Sequence, residues 1–398
     1  MHTVEEQLAV LSRGVEQIIP MDEFRAKLEK SVRTGKPLRI KLGLDPTAPD
    51  IHLGFAVVLR KLRQFQDYGH TIDLVIGDFT GMIGDPSGKS ATRPRLTEEQ
   101  VIANAHTYET QLCKILIPER TVMHRNSTWL GQIKFAELIE ISSKITVARL
   151  LEGEFFSSRL EAGKPLHLHE VLYPIAQAYD SVALNSDVEL GGMDQTFNIL
   201  MGRDLQREFD QEPQIGMFLP LLVGIDGHQK MSKSLGNYVG IFESPAEMFG
   251  KTMSIPDESL TQWYELCTDV PMDEVKALIA DNPMEAKKRL AESIAAMYHS
   301  AEEAKAARAA WEAQFSRREV PTDMPTVRVS ADETGAAWIV GLIKQAGLAT
   351  GTNDARRKIQ DGGVQVNGER ISDVEARIAL EGEVILKVGR KYARIEKD

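Results

Sequence analysis

The sequence predicts an α/β fold, in which a parallel-sheet domain gives way to helices and then to a small α+β module. Three observations carry this reading. LRIKLGL (Leu38–Leu44) is a short apolar run that ends in the turn-rich DPTAPD, so it reads as a buried strand followed by a loop. Phe55, Val58, Leu59, Leu62 and Phe65 then recur at helical spacing as far as the stop signal Gly69. TIDLVIGDF (Thr71–Phe79) is the next apolar strand. Strand, helix and strand in that order form a βαβ unit, whose strands lie parallel in one sheet.

The remaining elements follow in chain order. Residues 4–34 carry spaced apolar positions and predict helices. Residues 127–190 predict mainly helix with short breaks. PLLVGI (Pro220–Ile225) reads as a further apolar strand, and residues 243–318 read as wholly helical. SRREVPTDMPTVRVSADETG has two prolines and no apolar period, which marks a linker over residues 319–335. In the tail, WIVGLIKQAGLA and NDARRKIQDGG predict two helices, the second stopped by two glycines. VQVNGERI alternates around Asn367-Gly368, the signal of a type I′ hairpin, and Glu383–Ile395 supplies further strands.

Composition narrows the function classes. A chain of 398 residues exceeds one ordinary core, so two or three domains are expected. The net charge of -11 argues against a protein that coats nucleic acid by bulk electrostatics. The segment Ala336–Asp398 nevertheless carries 11 basic against 9 acidic residues, a mildly basic tail on an acidic body. Cys113 and Cys267 are too few for a disulfide framework or a zinc site, and they fit a reducing compartment. No stretch approaches the ~20 apolar residues of a spanning helix, and the N-terminus lacks the apolar core of a secretory signal.

Several segments gather residues with chemical potential. The loop Asp45–Phe55 leads into a helix N-terminus, whose free N–H groups and partial positive charge favour phosphate. His52 adds a donor there, and Gly54 lets a flat base or ribose approach the backbone. A lone HxG is common and fits an ordinary surface turn equally well. In GDFTGMIGDPSGKS (Gly77–Ser90), three residues separate Gly84 from Gly88 where a Walker A loop needs four, which excludes a P-loop nucleotidase. YPIAQAYDS (Tyr173–Ser181) places Tyr173, Gln177 and Asp180 on one helix face at i, i+4 and i+7, between apolar neighbours. KMSKSLGN (Lys230–Asn237), preceded by Gly224 and Gly227, holds two lysines that can close over a triphosphate and stabilise charge on departing pyrophosphate. In the tail, Arg356, Arg357 and Lys358 can meet nucleic-acid phosphates or simply face water. His167 and His169 form an HxH without a third ligand nearby and read as helix-entry residues, not as a metal site.

KLGLDPTAPDIHLGF (Lys41–Phe55) and KMSKS (Lys230–Ser234), in that order, resemble the two ATP-handling signatures of class I aminoacyl-tRNA synthetases. KLGLDPTAPDIHLG, GDPSGK, YPIAQAYDS and GGMDQTFN (Gly191–Asn198) resemble bacterial tyrosyl-tRNA synthetases nearly residue for residue. The tail LIKQAGLATGTNDARRKIQDGGVQVNGERISD resembles the small S-four-like RNA-binding module shared with a ribosomal small-subunit protein. The resemblance covers essentially the whole chain.

It implies a Rossmann-like catalytic domain over residues 1–240, with a helical insertion near 125–190 as the interface of a homodimer. An α-helical domain over 241–318, the linker and an S-four-like RNA-binding domain over 336–398 would follow. The implied ATP site comprises Asp45, Thr47, His52, Gly54, Phe55, Lys89, Arg93, Lys230, Met231, Ser232, Lys233 and Ser234. The implied tyrosine site comprises Lys41, Asp85, Tyr173, Gln177, Asp180, Asp194 and Gln195, and the implied tRNA contacts are Arg356, Arg357 and Lys358. In this likeness Asp85, Tyr173 and Gln177 hold the ammonium end of the amino acid, and Asp180 lies towards the phenol. Lys41 stands where one branch of the family has tyrosine, and the branch with lysine there also carries KMSKS. The implied activity is two-step ligation of tyrosine to tRNA(Tyr) in the cytoplasm, with ATP as substrate, magnesium accompanying it and no protein-bound zinc.

Phe55 departs from the family pattern. The position is usually histidine, asparagine in some members, and donates towards ATP. Phenylalanine cannot donate, and losing one such donor costs about 3 kcal/mol of transition-state stabilisation. Three outcomes stay open: an enzyme that tolerates Phe55, an attenuated or engineered variant, or a non-catalytic RNA-binding paralogue. Tryptophanyl-tRNA synthetase shares the catalytic frame and is a further alternative, against which Lys41, YPIAQAYDS and the tail all count.

Overall fold

The computed structural model describes residues 2–44, 51–86, 111–316, 324–380, 382, 384–389 and 391–397. Asp45, Thr47, Lys89 and Arg93 lie outside the described residues. The chain divides into two compact units, Met1–Arg308 and Ala309–Asp398.

The first unit is built on a six-stranded sheet in the order β1-β6-β5-β2-β3-β4. The strands are β1 (Gln17–Ile19), β2 (Arg39–Leu44), β3 (Thr71–Ile76), β4 (Thr121–Arg125), β5 (Val188–Gly192) and β6 (Ile215–Leu219). β2, β3, β4, β5 and β6 run parallel, while β1 closes one edge antiparallel to β6. From β2 the chain winds outward through β3 to β4, then returns to lay β5 on the other side of β2. That reversal leaves a crevice beyond the carboxyl ends of β2 and β5, the place where open α/β sheets take ligands.

Local sequence accounts for the frame. β3 is buried on both faces beyond its first residue, and β2 is buried at Ile40, Lys41, Leu42 and Leu44, as strands of a covered parallel sheet must largely be. Helix α1 (Val4–Ser12) starts at a capping box between Thr3 and Glu6. Helix α2 (Met21–Thr34) stops at Gly35, which is left-handed at φ 68°. Helix α3 (Leu53–Asp67) buries Leu59, Leu62 and Phe65, and the chain turns at Gly69 with φ 97°. Helix Leu168–Leu184, called the pocket helix below, begins at the cap His167.

Three predicted elements need correction. The expected linker over residues 319–335 holds a strand, Thr326–Val329, which lacks an apolar period of its own and is defined by its parallel pairing with Arg394–Lys397. Residues 4–34 are not helical throughout, because Gln17–Ile19 forms β1 between the two helices. A three-residue strand has no period to read, and only its pairing with Gly216–Phe218 defines it. The strand expected at Pro220–Ile225 lies earlier, at Ile215–Leu219. Pro220 has no N–H to donate, so the ladder ends before it. Beyond that point only Val223 pairs, in a single bridge to Lys230. The expected helices over residues 243–318 form as a series, from Pro245–Met253 to Ala301–Trp311. Their apolar side chains, among them Met248, Trp263 and Leu290, join Phe24, Phe65 and the sheet in one continuous core.

The second unit has a five-stranded sheet and a two-stranded one. Helices Ile339–Gln345 and Thr352–Gln360 pack Ile343, Ala355 and Ile359 onto Val364, Leu386 and Ile395. Strands Val364–Val366 and Glu369–Arg370 meet at Asn367 (φ 47°) and Gly368 (φ 87°). Positive φ at both turn residues is the type I′ geometry that Asn-Gly predicts.

Candidate active site

The crevice holds a cavity of about 310 Å³, lined by the ends of β2 and β5, the start of α3 and the pocket helix. Of the expected site residues, Gly54, Phe55, Asp85, Tyr173, Gln177, Asp180, Asp194 and Gln195 meet at this one cavity. Tyr173, Gln177 and Asp180 do so from a single helix face, as their spacing requires. At the mouth, the Gln195 amide donates to Asp85 Oδ2 at 3.0 Å.

Asp180 is almost fully buried. Its Oδ1 accepts from Trp129 Nε1 at 2.7 Å and its Oδ2 from Asn126 Nδ2 at 3.3 Å. Burial pushes its carboxyl up to about 6, against the opposing pull of the Lys41 ammonium and of these two hydrogen bonds. Asn126 is itself anchored, since it donates to Thr80 Oγ1 and accepts from the Phe79 N–H.

Lys41 does not line the cavity. It is fully buried beneath it, and its ammonium donates to the Gln177 carbonyl at 3.1 Å and Ser181 Oγ at 2.8 Å. An ion pair to Glu189 Oε1 at 3.1 Å completes its three donors. Glu189 lies directly across the sheet from Lys41 and does line the cavity. Glu189 also accepts from Gln177 Nε2, Ser181 Oγ and Gln214 Nε2. On the other side, Asp73 pairs in register with Lys41, and its carboxylate is held by Arg39 and His124. One face of the sheet thus carries a row of buried, mutually satisfied charges under the pocket helix.

The two ATP-signature segments are physically joined. His52 bridges Gly240, and the Leu53 N–H donates to the Val239 carbonyl. The Gly54 N–H points at Met231 Sδ at 3.2 Å, and a Cβ on Gly54 would lie 3.2 Å from the Met231 Cβ. Met231 is buried, whereas Lys230 and Ser234 are exposed and Ser232 and Lys233 half-buried. Asn237 ties the loop's base: it accepts from the Ser232 N–H and donates to Asp226 Oδ2 and the Lys230 carbonyl. Gly224 packs against it so closely that a Cβ would lie 2.3 Å from Asn237 Nδ2. Lys233 and Lys251 both lie over the Tyr238 ring. His52 is half-buried, and among the described residues its Nδ1 has no hydrogen-bond partner. Burial and, less strongly, the nearby Lys233 charge lower its pKa, so the ring is neutral at neutral pH. Phe55 packs its ring against the main core and lines the cavity.

In the second unit, Arg356 and Arg357 are exposed. Arg356 pairs with Glu375 and lies over the Trp338 ring, and Arg357 pairs with Asp354. Lys358 is half-buried and donates to the Leu348 carbonyl, besides pairing with Asp354. Much of its bonding capacity is therefore spent inside the fold.

Asn126, Trp129, Ser181, Glu189 and Gln214 shape the pocket and were not visible as site residues in the sequence. One signal pointed their way. LRIKLGL, TIDLVI and VELGG place Lys41, Asp73 and Glu189 inside strands that are otherwise largely apolar, which demands buried partners.

The comparisons with known proteins agree with this geometry. The model of class I tRNA synthetases (W and Y) matches residues 33–316, and that of the tyrosine–tRNA ligase SYY-like C-terminal domain matches residues 317–392. A tyrosine–tRNA ligase of Moorella thermoacetica is 53% identical over 399 residues, covering 98% of this chain and 96% of the relative. One from Aquifex aeolicus is 52% identical over 390 residues, 98% of each chain. A C-terminally truncated mitochondrial tyrosyl-tRNA synthetase of Aspergillus nidulans superposes with a TM-score of 0.63 at 21% identity, over 79% of this chain and 95% of that one. The Archaeoglobus fulgidus tyrosyl-tRNA synthetase, solved with L-tyrosine, gives 0.59 at 20% identity, over 77% and 100%. These two structural likenesses are of fold. With its signature loops meeting at one sheet crevice and relatives matching along almost its full length, the chain belongs to the class I tRNA synthetases of the tryptophan and tyrosine group.

Proposed function

We infer that this chain is a tyrosine–tRNA ligase. The observation that carries the reading is the cavity, where a carboxylate, Asp180, waits at the buried end and Asp85, Tyr173 and Gln177 line the same space. A tyrosine with its phenol at Asp180 and its ammonium towards Asp85 satisfies both ends. The tyrosine-type C-terminal match and the full-length tyrosine–tRNA ligase relatives count against the tryptophan alternative.

In the first step a tyrosine carboxylate oxygen attacks the α-phosphorus of ATP, and pyrophosphate leaves. In the second, a hydroxyl of the terminal ribose of tRNA(Tyr) attacks the carbonyl carbon of the adenylate, and AMP leaves. Such chemistry depends on alignment and on positive charge around the phosphates. We assign the cradle to His52, Lys89, Arg93, Lys230 and Lys233, with Asp45, Thr47, Gly54, Met231, Ser232 and Ser234 as further members of the ATP site. Magnesium is assigned to the ATP phosphates themselves. Among the described residues no group of three or more acidic, histidine or cysteine side chains is gathered to hold a metal.

The tail, with Arg356 and Arg357 exposed, is proposed to grip the tRNA away from its acceptor end. The chain is proposed to act in the cytoplasm; among the described residues no helix is long and apolar enough to cross a membrane. A homodimer through the segment 125–190 accounts for the exposure of Phe135, Ile139, Val147 and Leu168. Beside them lies an apolar cavity of about 250 Å³ lined by Leu130, Ile133 and Leu138.

Four measurements test these assignments. The purified chain is expected to exchange pyrophosphate into ATP with tyrosine and to charge tRNA(Tyr). Exchange with tryptophan instead, or tRNA binding without any exchange, overturns the assignment. Phe55→His is expected to raise the rate of adenylate formation roughly tenfold or more, with the KM for tyrosine nearly unchanged. A flat rate means the remaining donors already compensate. Asn237→Ala, which unties the KMSKS loop, is expected to slow exchange about tenfold while sparing the KM for tyrosine. Phe135→Asp is expected to convert a dimer into a monomer in sedimentation; a wild-type monomer rules the interface out.

A further inference from the structure

Two carboxylates, Asp180 and Glu189, face one cavity, and the chain treats them differently. Both Glu189 oxygens are taken up by the protein: Oε1 by Lys41 and Gln177, and Oε2 by Ser181 and Gln214. Among the described residues Asp180 receives two protein donors, Trp129 and Asn126, and a carboxylate has about four acceptor sites, which leaves lone pairs for a ligand. Lys41 reaches no ligand, because its ammonium is engaged by the Gln177 carbonyl, Ser181 Oγ and Glu189. The first two of those contacts fall on the turn Gln177–Ser181 that carries Gln177 and Asp180 into the cavity.

We propose that the Lys41–Glu189 ion pair is a specificity-determining unit for the amino acid, a positioning pair that keeps Asp180 as a hydroxyl acceptor. The inference rests on the tyrosine reading above and extends it to residues beneath the pocket. It assigns the choice of a phenol over a bare phenyl ring to a charge balance across two strands as well as to the contact residue itself.

The physical argument is one of neighbouring charges. Two buried carboxylates on one wall repel, and without a cation one of them takes up a proton. Asp180 is the one already pushed upward, by burial first; Lys41 draws it down, and Glu189 adds to the rise. A protonated Asp180 can donate, so it loses its preference for a ligand that brings a hydroxyl. Other charged groups bear on the balance. Asp73, held by Arg39 and His124, adjoins Lys41 on β3, and Asp85 and Asp194 line the same cavity at its mouth. Neither Lys41→Met nor Glu189→Gln alters these groups.

The test is pyrophosphate exchange with tyrosine and with phenylalanine between about pH 5 and 9, where kcat/KM reports ionisations of the free enzyme. Lys41→Met is expected to move the acid limb for tyrosine to higher pH. It should also cut kcat/KM for tyrosine about tenfold at neutral pH, more than for phenylalanine. Glu189→Gln is expected to move the limb to lower pH, and the double variant to return towards wild type. Lys41→Arg keeps the charge and should keep the limb in place. Equal losses for both amino acids with an unmoved limb would reduce the pair to packing and overturn the proposal. If Lys41→Met does not fold, the direction of the Glu189→Gln limb decides alone. Wild-type protein without tyrosine-dependent exchange would instead sink the tyrosine reading itself.

Discussion

Charge buried on one face of a parallel sheet must be neutralised where it stands, and that constraint organises this molecule. Lys41, Asp73 and Glu189 lie side by side on β2, β3 and β5, each with almost no exposed surface. A buried ion pair is weak evidence for stability, because desolvation offsets much of the attraction. Fully satisfied, however, such a network admits few arrangements. Here it ties three strands to the pocket helix through Gln177 and Ser181, so the register of the sheet sets the position of the recognition residues.

The same logic of mutual support holds at the other end of the cavity. The start of α3 and the KMSKS loop are far apart in sequence, yet His52 bridges Gly240 and Met231 packs under Gly54. A side chain on Gly54 would separate them. The two segments therefore form one platform. Asn237 and Gly224 anchor the base of the loop, since Ser232, Lys230 and Asp226 all bond the Asn237 amide.

What the sequence made legible was local. β2, α3 and β3 announced themselves through unbroken apolar runs and a helical period, and the Tyr173, Gln177 and Asp180 stripe through helical spacing. Asn367-Gly368 fixed its own turn. The elements that were missed depend on distant partners. β1 exists only by pairing with β6 across some 200 intervening positions, and β6 sits one step earlier than its apolar run suggested because Pro220 cannot extend the ladder. The supporting residues are hidden for the same reason: Lys41 meets the Gln177 carbonyl at a separation of 136 residues. Its role as a buried strut, and not a pocket wall, becomes visible only when β2 and β5 are laid side by side.

Phe55 marks where these two halves of the site differ in kind. At the amino-acid end, the Asp180 and Glu189 carboxylates each have protein partners that fix them, down to the Asn126 amide behind Asp180. At the phosphate end, His52 keeps a buried Nδ1 without a partner among the described residues, and the next inward position offers a ring that packs on the core and cannot donate. A neutral His52 brings no full charge to that end. Lys230 is exposed and Lys233 rests over Tyr238, and both sit on a loop anchored at its base and open at its tip. On the proposed function, selection of the amino acid thus rests on paired strands, while part of the phosphate cradle rests on a loop tied at its base. On the same reading, Phe55 leaves the cradle one donor short of the usual pattern, so the remaining donors carry more of the transition-state stabilisation.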